Sequence, residues 1–256
     1  MKIATLNINN IRRRLPNLLA WLGDAKPDVV ALQELKTVDA DFPIEAIKQA
    51  GYGAVWRGES RWNGVAILAK DAEPVVTRRG LPGDPDDQQA RYIEAAVEGV
   101  LVASIYLPNG NPHPGPKFDY KLAWFERLKT HAAELISAEV PVVLAGDYNV
   151  VPTELDVYPK HSYAKNALLR PESREAYANL LDQGWTDAVR ALHPNDPMFS
   201  FWSYEFKRWE RDRGMRLDHL LLSPAMAPRL VGAGIDRHVR GEPDASDHAP
   251  AWIELT

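Results

Sequence analysis

Five short polar motifs sit at the ends of apolar, strand-like runs, and they constrain this chain more than any other feature. Asn7 follows the run 3–6, Gln33-Glu34 follows 29–32, and Tyr106-Leu107-Pro108-Asn109 follows 101–105. Gly146-Asp147-Tyr148-Asn149 follows 142–145, and Ser246-Asp247-His248 stands just before the last run, 251–255. If the strands lie side by side, their ends form one mouth lined by carboxylates, amides, a phenol and an imidazole. Such a mouth suits a hard cation and general acid–base chemistry.

The chain has 256 residues and is 45% hydrophobic, enough for one large core. No linker, repeat or low-complexity tract divides it, so a single domain over 1–256 is expected. Its 20 prolines fall in loop contexts such as Asn109-Gly110-Asn111-Pro112 and place many ordered loops on a strand-rich frame. The absence of cysteine excludes disulfides and thiolate zinc sites. No apolar run approaches the ~20 residues of a membrane span. Met1-Lys2-Ile3 leads straight into a strand pattern, so no signal peptide is expected. The expectation is a monomeric cytoplasmic protein.

The net charge of −5 argues mildly against a nucleic-acid partner. The charge is uneven, however. Arg12-Arg13-Arg14 follows the first motif. Between residues 207 and 216, five basic residues stand against two acidic ones, a local +3. These segments could hold phosphates while acidic metal ligands lower the total. Either could equally be a solvated, salt-paired loop.

Strand patterns recur at 2–8, 28–33, 54–57, 64–69, 92–97, 100–106, 141–146, 216–222, 230–236 and 251–255. Helical periodicity covers 12–24, 43–50, 117–139 and 173–182. The clearest stripe is Leu122, Phe125, Leu128, Ala132, Leu135 and Ile136. Runs 64–69, 92–97 and 100–106 leave no room for helices between them and predict an antiparallel meander. The mixture predicts two packed sheets with helices on their outer faces.

Glu34 at a strand end can ligate Mg²⁺ or Mn²⁺, with Asn7 adding an amide oxygen, since magnesium keeps several waters and needs few protein ligands. Glu34 could instead simply pair with Lys36. Gly146 permits a sharp exit from the strand. Asp147 then points into the mouth, able to orient and deprotonate a water, and Asn149 can hold a phosphate oxygen. An Asx turn is the structural alternative. His248 can change charge near neutrality. Asp218, an acid within an apolar run, needs a partner and could orient that imidazole. A capping turn would also explain Asp247-His248. No Gly-x-Ser-x-Gly elbow, His-Glu-x-x-His zinc motif or P-loop occurs.

The order and spacing of Asn7, Gln33-Glu34, Arg91-Tyr92-Ile93-Glu94, Tyr106 to Gly110, Gly146 to Asn149, Arg216-Leu217-Asp218 and Ser246-Asp247-His248 resemble the exonuclease III branch of the endonuclease/exonuclease/phosphatase superfamily. Lys117-Phe118-Asp119-Tyr120-Lys121 and the segment 151–157 extend the resemblance toward the bacterial exodeoxyribonuclease III group. It implies an α+β fold, a four-layer α/β/β/α sandwich of two packed mixed sheets flanked by helices, DNase I-like. It also implies a DNA-repair phosphodiesterase of base excision repair. Such an enzyme would use a divalent metal to cut duplex DNA 5′ to abasic sites and trim 3′ ends.

By the same resemblance, Asn7 and Glu34 would hold the metal, with Asp247 supporting that side. Asp147 would position the attacking water beside Asn149. Tyr106 and Asn109 would contact the scissile phosphate. His248, oriented by Asp218, would stabilise developing charge. Phe201, Trp202 and Met215 would form the lesion pocket, and Arg12 and Arg213 would grip DNA. Three departures from the resemblance stand out: Asn10 replaces a common glycine, Asn9 replaces an aspartate of some relatives, and Met215 stands where some relatives carry an aromatic residue. A lipid-, inositol- or RNA-directed enzyme of the superfamily would share the metal site without needing the basic loops. A non-enzymatic DNA-binding protein on this frame is also a rival, though the full polar set argues against it.

Overall fold

The structure is a computed structural model and describes residues 1–159 and 166–256. In chain order the elements are β1 (Lys2–Asn7), α1 (Leu15–Ala25), β2 (Val29–Gln33), α2 (Ile44–Gln49), β3 (Tyr52–Arg57), β4 (Val65–Lys70), β5 (Val75–Arg79), β6 (Tyr92–Val97) and β7 (Val100–Tyr106). There follow α3 (Pro116–Ser137), β8 (Val142–Asp147), α4 (Pro171–Leu181), β9 (Thr186–Asp187), α5 (Ala188–Leu192), β10 (Asp218–Leu222), β11 (Leu230–Ile235) and β12 (Ala251–Leu255).

The strands form two six-stranded sheets, ordered β11-β12-β1-β2-β4-β3 and β5-β6-β7-β8-β10-β9. Each sheet has one parallel pair near its middle, β1–β2 and β7–β8. A parallel pair needs a crossover, and α1 and α3 supply these. Because parallel neighbours finish at the same edge, Asn7 aligns with Gln33 and Tyr106 with Asp147. Antiparallel β10 starts at that edge, with Asp218 opposite Asp147. This arithmetic of strand direction gathers the polar motifs.

The two-residue side-chain period divides the core. Ile3, Val29, Ile67, Ile93, Val143 and Leu220 fill the space between the sheets. The alternate residues Leu6, Leu32 and Leu68 pack outward with Leu18, Trp21 and Ile47 of α1 and α2. On the far side Ile105 and Leu144 pack with Trp124, Leu128 and Tyr177 of α3 and α4. Four layers result, as expected. A polar thread crosses the inner core: Thr5 Oγ1 donates to Gln33 Oε1 at 3.2 Å, Gln33 Nε2 to Ser104 Oγ at 3.0 Å, and Ser104 Oγ to the Leu32 carbonyl at 2.8 Å. Gln33 therefore joins the sheets and does not line the mouth.

Three local expectations are corrected. Strand β4 belongs to the first sheet and β6–β7 to the second, so the meander is broken where the chain crosses between sheets, and β5 pairs with β6 instead. Strand β5 carries no clear apolar signature because it is an exposed edge bearing Thr77, Arg78 and Arg79. The buried stripe of α3 is rotated: Leu122 and Ile136 sit at its margin, while Trp124, Lys121 and His131 are buried. Among the described residues no helix is long and apolar enough to cross a membrane.

Candidate active site

The two sheets meet at the mouth through side chains. Asn7 Nδ2 donates to Glu34 Oε1 at 2.8 Å and to Asp147 Oδ2 at 2.9 Å. Tyr106 donates its hydroxyl to the same Glu34 oxygen at 2.8 Å. Several residues here adopt left-handed backbone conformations: Asn9 (φ 46), Asn10 (φ 84), Glu34 (φ 53), Lys36 (φ 52) and Asn149 (φ 48). Asparagine tolerates this region; glutamate and lysine do so at a cost of roughly 1 kcal/mol or more. Backbone bonds from Asn10 N to the Glu34 carbonyl and from Lys36 N to the Asn63 carbonyl, both 2.8 Å, hold the turn. Asn10 thus takes the left-handed turn expected of it. Gly146 serves a different need from the expected exit: a Cβ there would collide with the Ile105 backbone of β7.

Asp147 is buried at the centre. Its Oδ1 accepts the Asn149 backbone N–H at 2.9 Å, and its Oδ2 accepts Asn149 Nδ2 at 3.3 Å as well as Asn7. Across β8–β10, Asp218 Oδ2 accepts from His248 Nδ1 at 2.8 Å, leaving His248 Nε2 facing Asp147 Oδ2 at 3.9 Å. Burial pushes the Asp147 carboxyl well above the usual carboxylate range; His248 draws it back, and Asp218 and Glu34 push it up again. Burial alone would favour a neutral His248, but the charge and hydrogen bond of Asp218, aided by Asp147 and Asp247, outweigh it and raise the imidazole. His248 is therefore pushed toward the imidazolium, with Nδ1 committed to Asp218 and Nε2 facing Asp147.

Ser200 was not singled out from sequence. Its hydroxyl donates to Asp218 Oδ2 at 2.6 Å and accepts the backbone N–H groups of Leu217 and Asp218, both at 3.1 Å. No local signal marks it, since its partner lies 18 residues on.

On the metal side, Lys36 Nζ lies 2.7 Å from Glu34 Oε2 and 2.6 Å from Asn9 Oδ1, and Asn9 Nδ2 donates to Asp247 Oδ1 at 2.9 Å. The Lys36 ammonium marks a place where positive charge is accepted between Glu34 and Asn9. The Lys36 charge and the Asn7 bond hold Glu34 below its ordinary range despite burial. Asn7 turns its amide nitrogen toward the carboxylates, so acting as an oxygen ligand would require the amide to turn over. Among the described residues there is no cluster of three His, Cys, Asp or Glu side chains suited to a metal. The donors are oxygen-rich with few carboxylates, which fits a hard cation that keeps its waters and not a zinc centre.

The expected substrate residues divide. Phe201 is half-buried, its ring 4.9 Å from that of His248. Met215 pairs with Phe201 through two backbone bonds and packs against Val157 and Leu217. Trp202 is sealed inside, against Phe199 and Trp209, with Nε1 on Asp212 Oδ1 at 3.1 Å. Arg12 is exposed and paired with Asp41 at 3.3 Å. Arg213 lies 5.1 Å over the Tyr158 ring.

The basic segment needs one correction. Arg216 is fully buried and binds Asp156 at 2.7 Å and Asp187 at 2.8 Å, so it contributes nothing to a surface patch. Asp212 pairs with Arg237 outside the segment.

Asn109 Nδ2 donates to Asn149 Oδ1 at 2.9 Å. Beside it opens a cleft of about 600 Å³ lined by Trp62, Asn63, Arg91, Tyr106, Asn109 and Lys117, among others. Trp62 is 70% exposed. A lone tryptophan in the polar stretch Arg61-Trp62-Asn63 is the signal that could have found this wall. Arg91 lies 4.8 Å over the Tyr106 ring.

Residues 4–248 match the sequence model of the Endonuclease/Exonuclease/phosphatase family. The chain is 36% identical to exodeoxyribonuclease III of Haemophilus influenzae over 267 residues, covering 100% of both. Among solved structures it is similar to the Neisseria 3′ phosphatase NExo bound to a product DNA hairpin (TM-score 0.95, 38% identity, covering 100% of this chain and 99% of that one). It is equally similar to an AP endonuclease from Archaeoglobus fulgidus (TM-score 0.95, 35% identity, the same coverage).

Proposed function

Because the chain belongs to the endonuclease/exonuclease/phosphatase family, we propose that it is a DNA-repair hydrolase that cuts the backbone 5′ to abasic sites and trims 3′ ends of duplex DNA. The similar exodeoxyribonuclease III, AP endonuclease and 3′ phosphatase support this substrate class. The observation that carries the reading is the geometry of buried Asp147, fixed by Asn7 and Asn149 and facing, at 3.9 Å, the Nε2 of a His248 whose Nδ1 is held by Asp218; burial raises the Asp147 carboxyl. A carboxylate whose affinity for a proton is lifted toward neutrality is suited to take one from water. Asn7 and Asn149 fix its oxygens. His248 Nε2–H would donate to a phosphoryl oxygen as negative charge builds there, and the buried Asp218–Ser200 pair keeps the ring in place. The Tyr106 hydroxyl, which burial and neighbouring carboxylates keep protonated, and the Asn109 amide would orient the scissile phosphate.

The family is divalent-metal dependent, and here the ion would be Mg²⁺ or Mn²⁺, held by Glu34 with Asn7 and supported by Asp247. When bound it supplies charge neutralisation at the phosphate and a more acidic water. Phe201 and Met215 offer the apolar wall for an extruded abasic sugar, which lacks a base and leaves the duplex at little cost. The test is a labelled duplex with one abasic site, incubated with Mg²⁺ or with chelator, beside an RNA and an inositol phosphate. Incision of the abasic duplex alone, lost in chelator, is expected. Preferential turnover of the inositol phosphate or the RNA would overturn the assignment.

A further inference from the structure

Lys121 is a fully buried lysine on α3. Its ammonium donates to the backbone carbonyl of Asn149 and, at 3.3 Å, to that of Asn109. Among the described residues the acceptors of its Nζ are these two carbonyls and no carboxylate. An unpaired buried ammonium is costly; burial lowers its pKa to about 7, against the pull of Asp147. The fold also makes room for it. Gly110 is left-handed (φ 86), and a Cβ at that position would lie 2.7 Å from Lys121 Cδ. A long side chain is thus threaded under the mouth to reach two carbonyls from different loops. Those loops carry the two amides that bond each other, Asn109 Nδ2 to Asn149 Oδ1. Asn149 is itself held left-handed and engages Asp147 and the Leu107 carbonyl.

We infer that Lys121 is a positioning residue for phosphodiester hydrolysis, whose ammonium ties the Asn109 and Asn149 loops together so that both amides meet the phosphate in fixed register with Asp147. It touches neither substrate nor metal. This rests on the proposed nuclease activity, which the wild-type enzyme tests separately.

Lys121→Met keeps the stem and removes the donor. Misplacement of reacting groups on the scale of an ångström lowers rates by about 10²-fold. The expected result is a kcat on abasic duplex roughly 10- to 100-fold lower, KM within about threefold, and an unchanged far-UV spectrum. Asn149→Ala added to Lys121→Met should cost much less than Asn149→Ala alone, because the tie and the amide act as one unit. Lys121→Gln, which retains a shorter donor, should recover part of the lost kcat. A wild-type kcat in Lys121→Met, or full additivity with Asn149→Ala, would overturn the inference. So would failure of both Met and Gln variants to fold, which would make Lys121 a folding element. No cleavage by the wild type would instead count against the nuclease reading.

Discussion

Asp218 lies directly opposite Asp147 in the antiparallel register of β10 and β8, and His248 reaches between them, 2.8 Å from one and 3.9 Å from the other. Two like charges on facing strand ends repel. A raised imidazole between them makes the arrangement stable and sets the carboxylates apart, one bonded to the ring and the other, under the proposed mechanism, placed to meet water.

Removing either working member should expose this division. Asp147→Asn and His248→Ala are each expected to slow incision of abasic duplex by roughly 10²–10⁴, with duplex affinity in chelator nearly unchanged. Single-turnover rates beside equilibrium binding check this. A variant cutting at the wild-type rate loses its assigned role.

Glu34 offers the metal side its carboxylate and now shares it with Lys36. Glu34→Gln should shift the Mg²⁺ dependence of cleavage to markedly higher concentration, and excess chelator should abolish wild-type cleavage. Activity titrations against Mg²⁺ measure both. Full activity in chelator would rule out the metal.

Lys207, Arg208, Arg211 and Arg213 remain as the basic residues of the segment once Arg216 is withdrawn into the core, and the three arginines carry the test. Neutralising the three should weaken duplex binding and reduce the slope of log affinity against log salt by about 0.9 for every DNA phosphate that is no longer neutralised. Turnover of a small phosphodiester should hold steady. An unchanged slope would mean the segment is only solvated, and the DNA-facing surface would then be sought at Arg12-Arg13-Arg14.

Arg216 predicts the opposite kind of defect. Arg216→Met leaves Asp156 and Asp187 buried with less compensation, and breaking such a network costs about 3–5 kcal/mol. Urea unfolding should show the loss. A midpoint like the wild type's would mean Arg190 alone neutralises the pocket.

Acid should act on the fold through two buried groups with different ranges. Burial and Arg216 hold His219 down at about 4, whereas the unfolded residue titrates near 6.5. Between those values the unfolded chain binds the extra proton, so stability falls as pH drops through that window. Arg216 holds Asp187 far below its ordinary range despite burial. Its contribution is complete above the unfolded carboxylate range and lost on further acidification. Melting temperatures measured across pH 3–8 in wild type and His219→Gln isolate this group, because the raised Asp147 contributes in the opposite sense over much of the same window. The wild type should lose stability relative to His219→Gln as pH falls from about 6.5 to about 4, and both should fall more steeply below about 4; a constant difference across that window would assign the titration to another group.

The site was legible where chemistry coincides with a strand end. Asn7, Glu34, Tyr106, Asp147 and His248 each follow or precede an apolar run, and strand direction alone assembles them. What stayed hidden depends on partners distant in sequence. Ser200 is a serine until Asp218 is beside it, and Lys121 is a helix-surface lysine until Gly110 clears a path inward. Arg216 counted as surface charge because nothing near it announces Asp156, 60 residues away, or Asp187. The meander failed for a related reason: short loops do not reveal that a chain has changed sheets.

The polar thread of Thr5, Gln33 and Ser104 bears on all of this. Apolar faces slide over one another with little preference among nearby alignments, whereas hydrogen bonds of 2.8–3.2 Å admit one. These bonds act as a dowel between the sheets. An all-aliphatic replacement could keep or even raise thermal stability, yet free the two halves of the catalytic mouth to drift apart. Resistance to heat and fitness for catalysis would then become separate properties of the same sandwich.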